Sequence, residues 1–309
     1  MTSARKPLPT DLVALVSFDG RVHPNEAKPL DRLGLDERAH PLETALEQWF
    51  SFGTRKHTWV SVRGATIRGL ISARQRAKRS VWEVDAMIDV DEDESVALSL
   101  LSRMTAGVVK QRAERVFLRL DSESHLAQAV RKAEFFPYTR ETLYRLDGKP
   151  PVQLTQVPFR AREKPDLMGV FQLYSRTVPA NVRAIEGTTF REWQAAQESW
   201  GGRTTELVLE EEGIISAWLR VLPGQTGRFS LIARSEGFNA QEVVQAALSR
   251  LQKSKGVLCL VPQYDEGLAR CLERLGFEAV AGYAAYARRL VKPVGELVTE
   301  TPGQAVPVS

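Results

Sequence analysis

Twice along this chain, apolar and polar positions alternate with the two-residue period of half-buried strands and then give way to the longer period of an amphipathic helix. In the first instance HTWVSVRGATIRGLISARQRA (57–77) predicts a hairpin turning near Arg63 and Gly64, and SVWEVDAMIDV (80–90) predicts a third strand. The spacing of Ala97, Leu101, Met104 and Val108 predicts a helix starting at about Asp91. A strand over 115–122, a short helix over 125–136 and a strand over 139–146 follow. In the second instance 205–222 predicts a hairpin with Gly213 in the place of Gly64, and 227–233 predicts the next strand. Val243, Val244, Ala247, Leu248 and Leu251 form the inner face of a predicted helix. A strand over 257–264, a helix over 267–277 and a strand over 282–290 complete the series. Each series is preceded by helical patterning, at 41–50 in the first and at 165–178 and 189–199 in the second.

The order of elements therefore repeats. Val116 corresponds to Val257 and Phe136 to Phe277, both at an offset of 141 residues (257 − 116 and 277 − 136), and two matches at one offset point to an internal duplication. Between the copies lies DGKPPV (147–152), where a glycine and two prolines suit a linker. The expected organisation is an N-terminal domain over 1–148, a C-terminal domain over 149–291 and a disordered tail over 292–309.

Composition narrows the classes. With 43% apolar and 26% charged residues in 309, the chain can bury a core without staples. Its net charge of +4 suits an acidic ligand but falls short of a nucleic-acid footprint. The cations Arg63, Arg68, Arg74, Arg76, Lys78 and Arg79 crowd the first hairpin and read as a solvated face. No stretch is long and apolar enough for a membrane span, and a cytoplasmic location is the expectation. Cys259 and Cys271 read as core residues, and His23, His40, His57 and His125 lack metal-ligand spacing, so no metal is expected. Asp89, Asp91, Asp93 and Ser95 mimic the start of a calcium loop, but Glu94 and Leu100 occupy the positions that need glycine and glutamate.

The segment GVLCLVPQYDEGLARCLERLGFEAVAGYAAYARRL (256–290) resembles the closing segment of the GNAT superfamily of N-acetyltransferases: a strand, a helix ending in Leu-Gly-Phe and a terminal strand with tyrosine. Residues 115–146 are a weaker copy, with Phe135-Phe136 where Gly-Phe is expected. The resemblance covers nearly the whole chain, once per half. It implies an α/β (α+β) fold of two tandem GNAT-like domains, each a mixed, largely antiparallel sheet flanked by helices. It also implies acetyl-CoA as cofactor, wedged between the fourth and fifth strands, and a small-molecule amine or peptide as acceptor, with neither nucleic acid nor membrane as partner. The superfamily's pyrophosphate loop corresponds to RSEGFN (234–239). The resemblance assigns Ile232, Arg234, Gly237 and Asn239 to cofactor binding in the C-terminal half. Asn239, with Glu242 three residues on, serves equally as a plain helix cap. In the first half the loop is DVDEDES (89–95), whose carboxylates would repel a pyrophosphate.

The tyrosine that often protonates the leaving thiolate in the superfamily falls on Leu272 in the second half. In the first it falls on Arg131, or on Val130 if the register shifts by one. The catalytic residues are thus unassigned. Tyr264, at a strand end, is a substitute acid or a structural aromatic. Glu186, in the loop-like run VPANVRAIEGTTFREW (178–193), is a candidate base or the partner of Arg183 or Arg191. Two readings follow: an acyl-CoA-dependent N-acyltransferase whose C-terminal half holds the cofactor, or a non-catalytic tandem binding module.

Overall fold

The computed structural model describes residues 3–8, 24–34, 56–64, 66–151, 157–234 and 239–290. The helix expected at 41–50, the tail from 292 and Gly237 lie outside them. Two antiparallel blocks form the wings of the sheet. One comprises β1 (Ser3–Arg5), β2 (Lys56–Arg63), β3 (Thr66–Gln75) and β4 (Val81–Asp89). The other comprises β7 (Arg160–Ala161), β8 (Thr205–Glu211), β9 (Ile214–Leu222) and β10 (Thr226–Ala233). After β4 come helix α1 (Glu94–Val109), strand β5 (Arg115–Asp121), helix α2 (Ala127–Lys132) and strand β6 (Phe136–Asp147). After β10 come α6 (Ala240–Arg250), β11 (Gly256–Pro262), α7 (Glu266–Arg274) and β12 (Glu278–Arg289). Between β7 and β8 run α3 (Asp166–Thr177), α4 (Ala180–Glu186) and α5 (Phe190–Ala196).

The two halves do not carry separate sheets. The twelve strands of the described residues form one sheet in the order β1-β2-β3-β4-β5-β12-β6-β11-β10-β9-β8-β7. The last strand of each half has crossed into the other half. β12 pairs with β5 from Tyr283–Asp121 to Arg289–Arg115, and β6 pairs with β11 from Gly256–Asp147 to Pro262–Glu141. β6 and β12 then pair antiparallel with each other at the centre. The result is a pseudo-twofold arrangement in which neither half completes its own sheet.

The sheet divides helices between its faces. α1 and α2 cover Trp59, Ile71, Trp82 and Val116 on one wing, and α6 and α7 cover Leu219, Phe229, Val257 and Cys259 on the other. On the opposite face α3, α4 and α5 pack over Val208, Ile215 and Trp218. Local chemistry sets the helix boundaries. Asp93 caps α1 by accepting the Ser95 N–H, Asn239 caps α6 through the Gln241 N–H, and Asp265 caps α7 through the Leu268 N–H. The run 178–193, read as a loop from sequence, contains α4 and the start of α5, launched by Pro179 and by a capping box of Thr189 and Glu192. α1 reaches the sheet because Gly107 lies against Trp59, where an added Cβ would stand 2.3 Å from the indole ring.

Two expectations need correction. First, Phe136 is not the counterpart of Phe277. Phe136 is 65% exposed, whereas Phe135 is fully buried, like Phe277. The helices explain the shift: α7 is followed by Gly276 at φ 85° and α2 by Glu134 at φ 61°, so the left-handed residue and the phenylalanine after it align at an offset of 142 (277 − 135). Second, the cations of the first hairpin are not all a solvated face. Arg68 pairs with Asp91, while Arg74 and Arg76 turn into the molecule to meet Glu83.

The corrected alignment separates neighbouring residues. Phe135→Ala should lower stability by about 3–5 kcal/mol through the cavity it leaves, and Phe136→Ala by less than about 1 kcal/mol. Urea titrations of both variants measure this, and equal losses would restore the original alignment.

Candidate functional site

A parallel pair that separates along its length opens a wedge, and this sheet has two such pairs. β4 and β5 pair only from Val81–Arg115 to Glu83–Phe117. β10 and β11 pair only from Thr226–Gly256 to Phe229–Cys259. Beyond those residues the strands diverge and leave backbone groups without a ladder partner, which must be satisfied by something else.

In the first half the chain itself fills the gap. Residues 24–29 cross from one strand to the other: the Glu26 N–H donates to the Met87 carbonyl (2.8 Å) and the Lys28 N–H to the Arg119 carbonyl (2.9 Å). The Asn25 side chain accepts from the Met87 N–H (2.9 Å) and the Ala27 N–H (3.1 Å), and donates to the Asp85 carbonyl (3.2 Å). Ala27 is 1% exposed. The groups that could grip an extended ligand in this wedge are already used.

In the second half no described residue crosses from one strand to the other. The Arg234 N–H donates to the Ser216 carbonyl across β9 (3.0 Å), in unbroken register with Ile232–Trp218. By alternation the N–H and C=O groups of Leu231 and Ala233 turn the other way, toward the gap. On β11 the Gln263 N–H donates to the Arg140 carbonyl (2.8 Å), so Leu260 also faces the gap. Pro262 faces it as well, where its missing N–H removes no ladder bond. The wedge leads into a cavity of about 700 Å³.

The cavity collects residues from both halves. Arg119 of β5 reaches across β12 to Glu141 of β6 (Nε to Oε2, 2.5 Å), passing over Ala285, which is small enough to allow it. The same guanidinium binds Glu198 (2.8 and 3.1 Å). Arg76 lies 4.1 Å over the Phe117 ring, donates to Glu83 (3.0 Å) and to the Ala196 carbonyl (2.9 Å), and stands 3.3 Å from Glu198. Burial alone would push the Glu198 carboxyl up, but Arg119 and Arg76 hold it down at about 2.

Glu186 is the contrasting carboxylate. It ends α4 and lines the cavity, and the Tyr174 hydroxyl donates to it (3.0 Å). No ion pair joins it to Arg183 or Arg191 among the described residues; Arg183 instead donates to the Val178 carbonyl (3.0 Å). Burial pushes the Glu186 carboxyl up to about 7, against the opposing effects of the Tyr174 hydrogen bond and of Arg76. Its placement is tightly determined. Arg115 donates to the Ile185 and Glu186 carbonyls (2.8 and 2.9 Å), a cation at a helix C-terminus. Gly187, at φ 154°, lets the chain turn so closely that a Cβ there would stand 2.3 Å from the Trp193 nitrogen.

Ile232 and Arg234 line the cavity, Ile232 with its backbone committed to β9. Asn239 caps α6, donates to Glu242 (2.9 Å), and is followed by Ala240 at the cavity wall. Tyr264, 38% exposed, lines the cavity too, and its phenol stays protonated far above the usual range through burial and then Glu186 and Glu141. Leu272, at the position of the superfamily's tyrosine, is buried in the core, as is Val130, its counterpart in the corrected alignment. Sequence reading missed Tyr174, Glu198, Arg119 and Arg220, whose patterning is that of ordinary amphipathic elements. Among the described residues no group of three or more His, Cys, Asp or Glu side chains is placed to hold a metal, and no helix is long and apolar enough to cross a membrane.

The sequence matches no protein-family model and no curated protein. Among solved structures the chain is similar to a GCN5-related N-acetyltransferase from Sphaerobacter thermophilus, at 15% identity and a TM-score of 0.56 over 93% of this chain and 95% of that one. It is also similar to a tandem GNAT protein from the clavulanic acid biosynthesis pathway, at 12% identity and a TM-score of 0.51 over 94% and 98%. At these identities the likeness is one of fold: the chain has the GNAT fold, in tandem.

The Arg119 network yields a stability test. Arg119→Met leaves Glu141 and Glu198 buried without their main cation and should cost about 3–5 kcal/mol at neutral pH. Because the folded-state pKa of Glu198 is depressed, its contribution in the wild type is present above the unfolded carboxylate range and lost as pH falls toward 2. The variant's deficit should therefore narrow in acid, as thermal melts at pH 7 and pH 3 would measure.

Proposed function

We propose that this chain is an acyl-CoA-dependent N-acyltransferase whose C-terminal wedge holds the acyl donor, acetyl-CoA in the simplest case, and whose acceptor is an amine. The observation that carries this reading is the meeting, in one cavity, of a wedge that no described residue bridges and a carboxylate titrating near neutrality. The donor set suits an acyl thioester. Leu231, Ala233 and Leu260 offer backbone groups along the gap, and Arg234 brings a cation to the end of β10. When bound there, acyl-CoA supplies an activated carbonyl.

The chain's own residues then have separable tasks. The attacking amine must lose its proton, and Glu186 accepts it, since a base titrating near the working pH combines availability with driving force. Tyr174 orients that carboxylate and favours its charged form. The wedge-facing backbone groups position the two reactants, which is a large part of catalysis in such transfers. Tyr264 is the phenol available to protonate the leaving thiolate in place of the absent helix tyrosine.

Two measurements test this. Isothermal calorimetry with acetyl-CoA should show binding to the wild type, weakened tenfold or more, about 1.4 kcal/mol, by Arg234→Glu. An absence of binding to the wild type would refute the acyltransferase reading, and binding indifferent to Arg234→Glu would refute this placement of the cofactor. With an accepted amine, kcat/KM should rise with pH and level off above about 7, as Glu186 loses its proton. Glu186→Gln should lower it by about 10²–10⁴. Tyr174→Phe removes a hydrogen bond that favours the carboxylate, so its rising limb should move to higher pH. A profile unchanged in both variants would remove Glu186 from the mechanism.

A further inference from the structure

Arg220 is a cation of this cavity that stands outside the network of Arg76 and Arg119. Arg76 and Arg119 are matched by Glu83, Glu141 and Glu198. Arg220, on β9, lies 4.4 Å over the Trp218 ring and 4.7 Å over the Trp200 ring, and its Nε donates to the Ser230 hydroxyl (3.1 Å). Among the described residues it has no carboxylate within ion-pair distance and no acceptor for its two terminal nitrogens. The indole N–H groups of Trp200 and Trp218 are buried without an acceptor. All three side chains line the cavity. Two unmatched indole donors beside one cation are unusual, since buried polar groups normally have partners.

The chemistry of the missing partner follows from the donor. A guanidinium set against two aromatic rings and fixed through Nε to Ser230 has its terminal prongs held in place, which suit the two oxygens of a carboxylate. Its place in the wedge argues against the cofactor's phosphates. Ser230 stands one residue beyond the last β10–β11 pair, at the base of the gap, while Arg234 lies four residues on, about 13 Å along an extended strand. The base is where reacting groups meet, and Glu186 shares that cavity.

We propose that Arg220, clamped by Trp200 and Trp218, is the seat of a substrate carboxylate. This rests on the acyltransferase reading for its meaning but not for its measurement. Two molecules could bring that carboxylate: an amine acceptor of the amino-acid type, which presents its amine to Glu186, or a dicarboxylic acyl chain.

The test is calorimetric titration of the full-length protein in two arms. The first compares the L-amino acids with their amides, without CoA. The second compares succinyl-CoA with acetyl-CoA. In at least one arm the carboxylate form should bind tenfold or more tightly, and the arm in which it does identifies the source. Arg220→Met should abolish that preference, and Arg220→Lys, which keeps the charge but loses the flat fork, should retain only part of it. Wild type showing no preference in either arm would overturn the proposal without any variant, and so would a preference that survives Arg220→Met. Failure of acetyl-CoA to bind would count against acyl transfer while leaving the amino-acid arm readable.

Discussion

The antiparallel pairing of β6 with β12 is the contact on which the rest of this molecule depends. Each is the last strand of its own half, and each is hydrogen-bonded on its other side to the opposite half. A strand inside a sheet leaves no unpaired edge, so exchange satisfies backbone groups that two separate sheets would have exposed. It also places residues of β5 and β6 within reach of each other over an alanine-rich β12. Arg119 can therefore grip Glu141, and through Glu198 the segment after α5 is drawn onto the same face.

From that arrangement the difference between the two wedges follows. The duplication supplies two equivalent gaps, each with strand groups left unpaired by the divergence. One is closed by residues 24–29, which hydrogen-bond to both walls, and its rim carries Asp93 as a helix cap and Asp91 in an ion pair. The other opens into a cavity that residues of both halves line. The first half is thus part of the site without repeating it: Arg76, Arg115 and Arg119 hold in place the carboxylates and helix ends that face the second wedge.

Electrostatics then distinguishes carboxylates that differ little in sequence context. Glu198 and Glu186 lie twelve residues apart on the same connection. One meets two buried guanidinium groups and stays charged; the other is buried with a phenol as its hydrogen-bond donor and titrates near neutrality. The first suits structure and the second proton transfer. Arg220 shows the complementary case, a cation stacked on aromatic faces with no carboxylate assigned to it.

Much of the fold was legible because strand and helix periods are local properties of the chain. The alternation in 57–90 and 205–233 and the helical spacing of Val243, Val244, Ala247 and Leu248 marked elements that form as expected. Local pattern misled at Phe135 and Phe136, adjacent aromatics whose burial turns on a left-handed cap at Glu134. It misled also at Arg74 and Arg76, whose charge suggested solvent. Of the residues that line the cavity, Ile232, Arg234, Glu186 and Tyr264 could be singled out, but not Tyr174, Arg119 or Arg220. The sequence by itself determined the duplicated order of elements, because hydrophobic periodicity is written residue by residue. Only the tertiary structure decided that the last strands exchange, that residues 24–29 fill one wedge while no described residue bridges the other, and which carboxylate titrates near neutrality. Those outcomes depend on groups far apart in the chain meeting in a shared, water-poor interior.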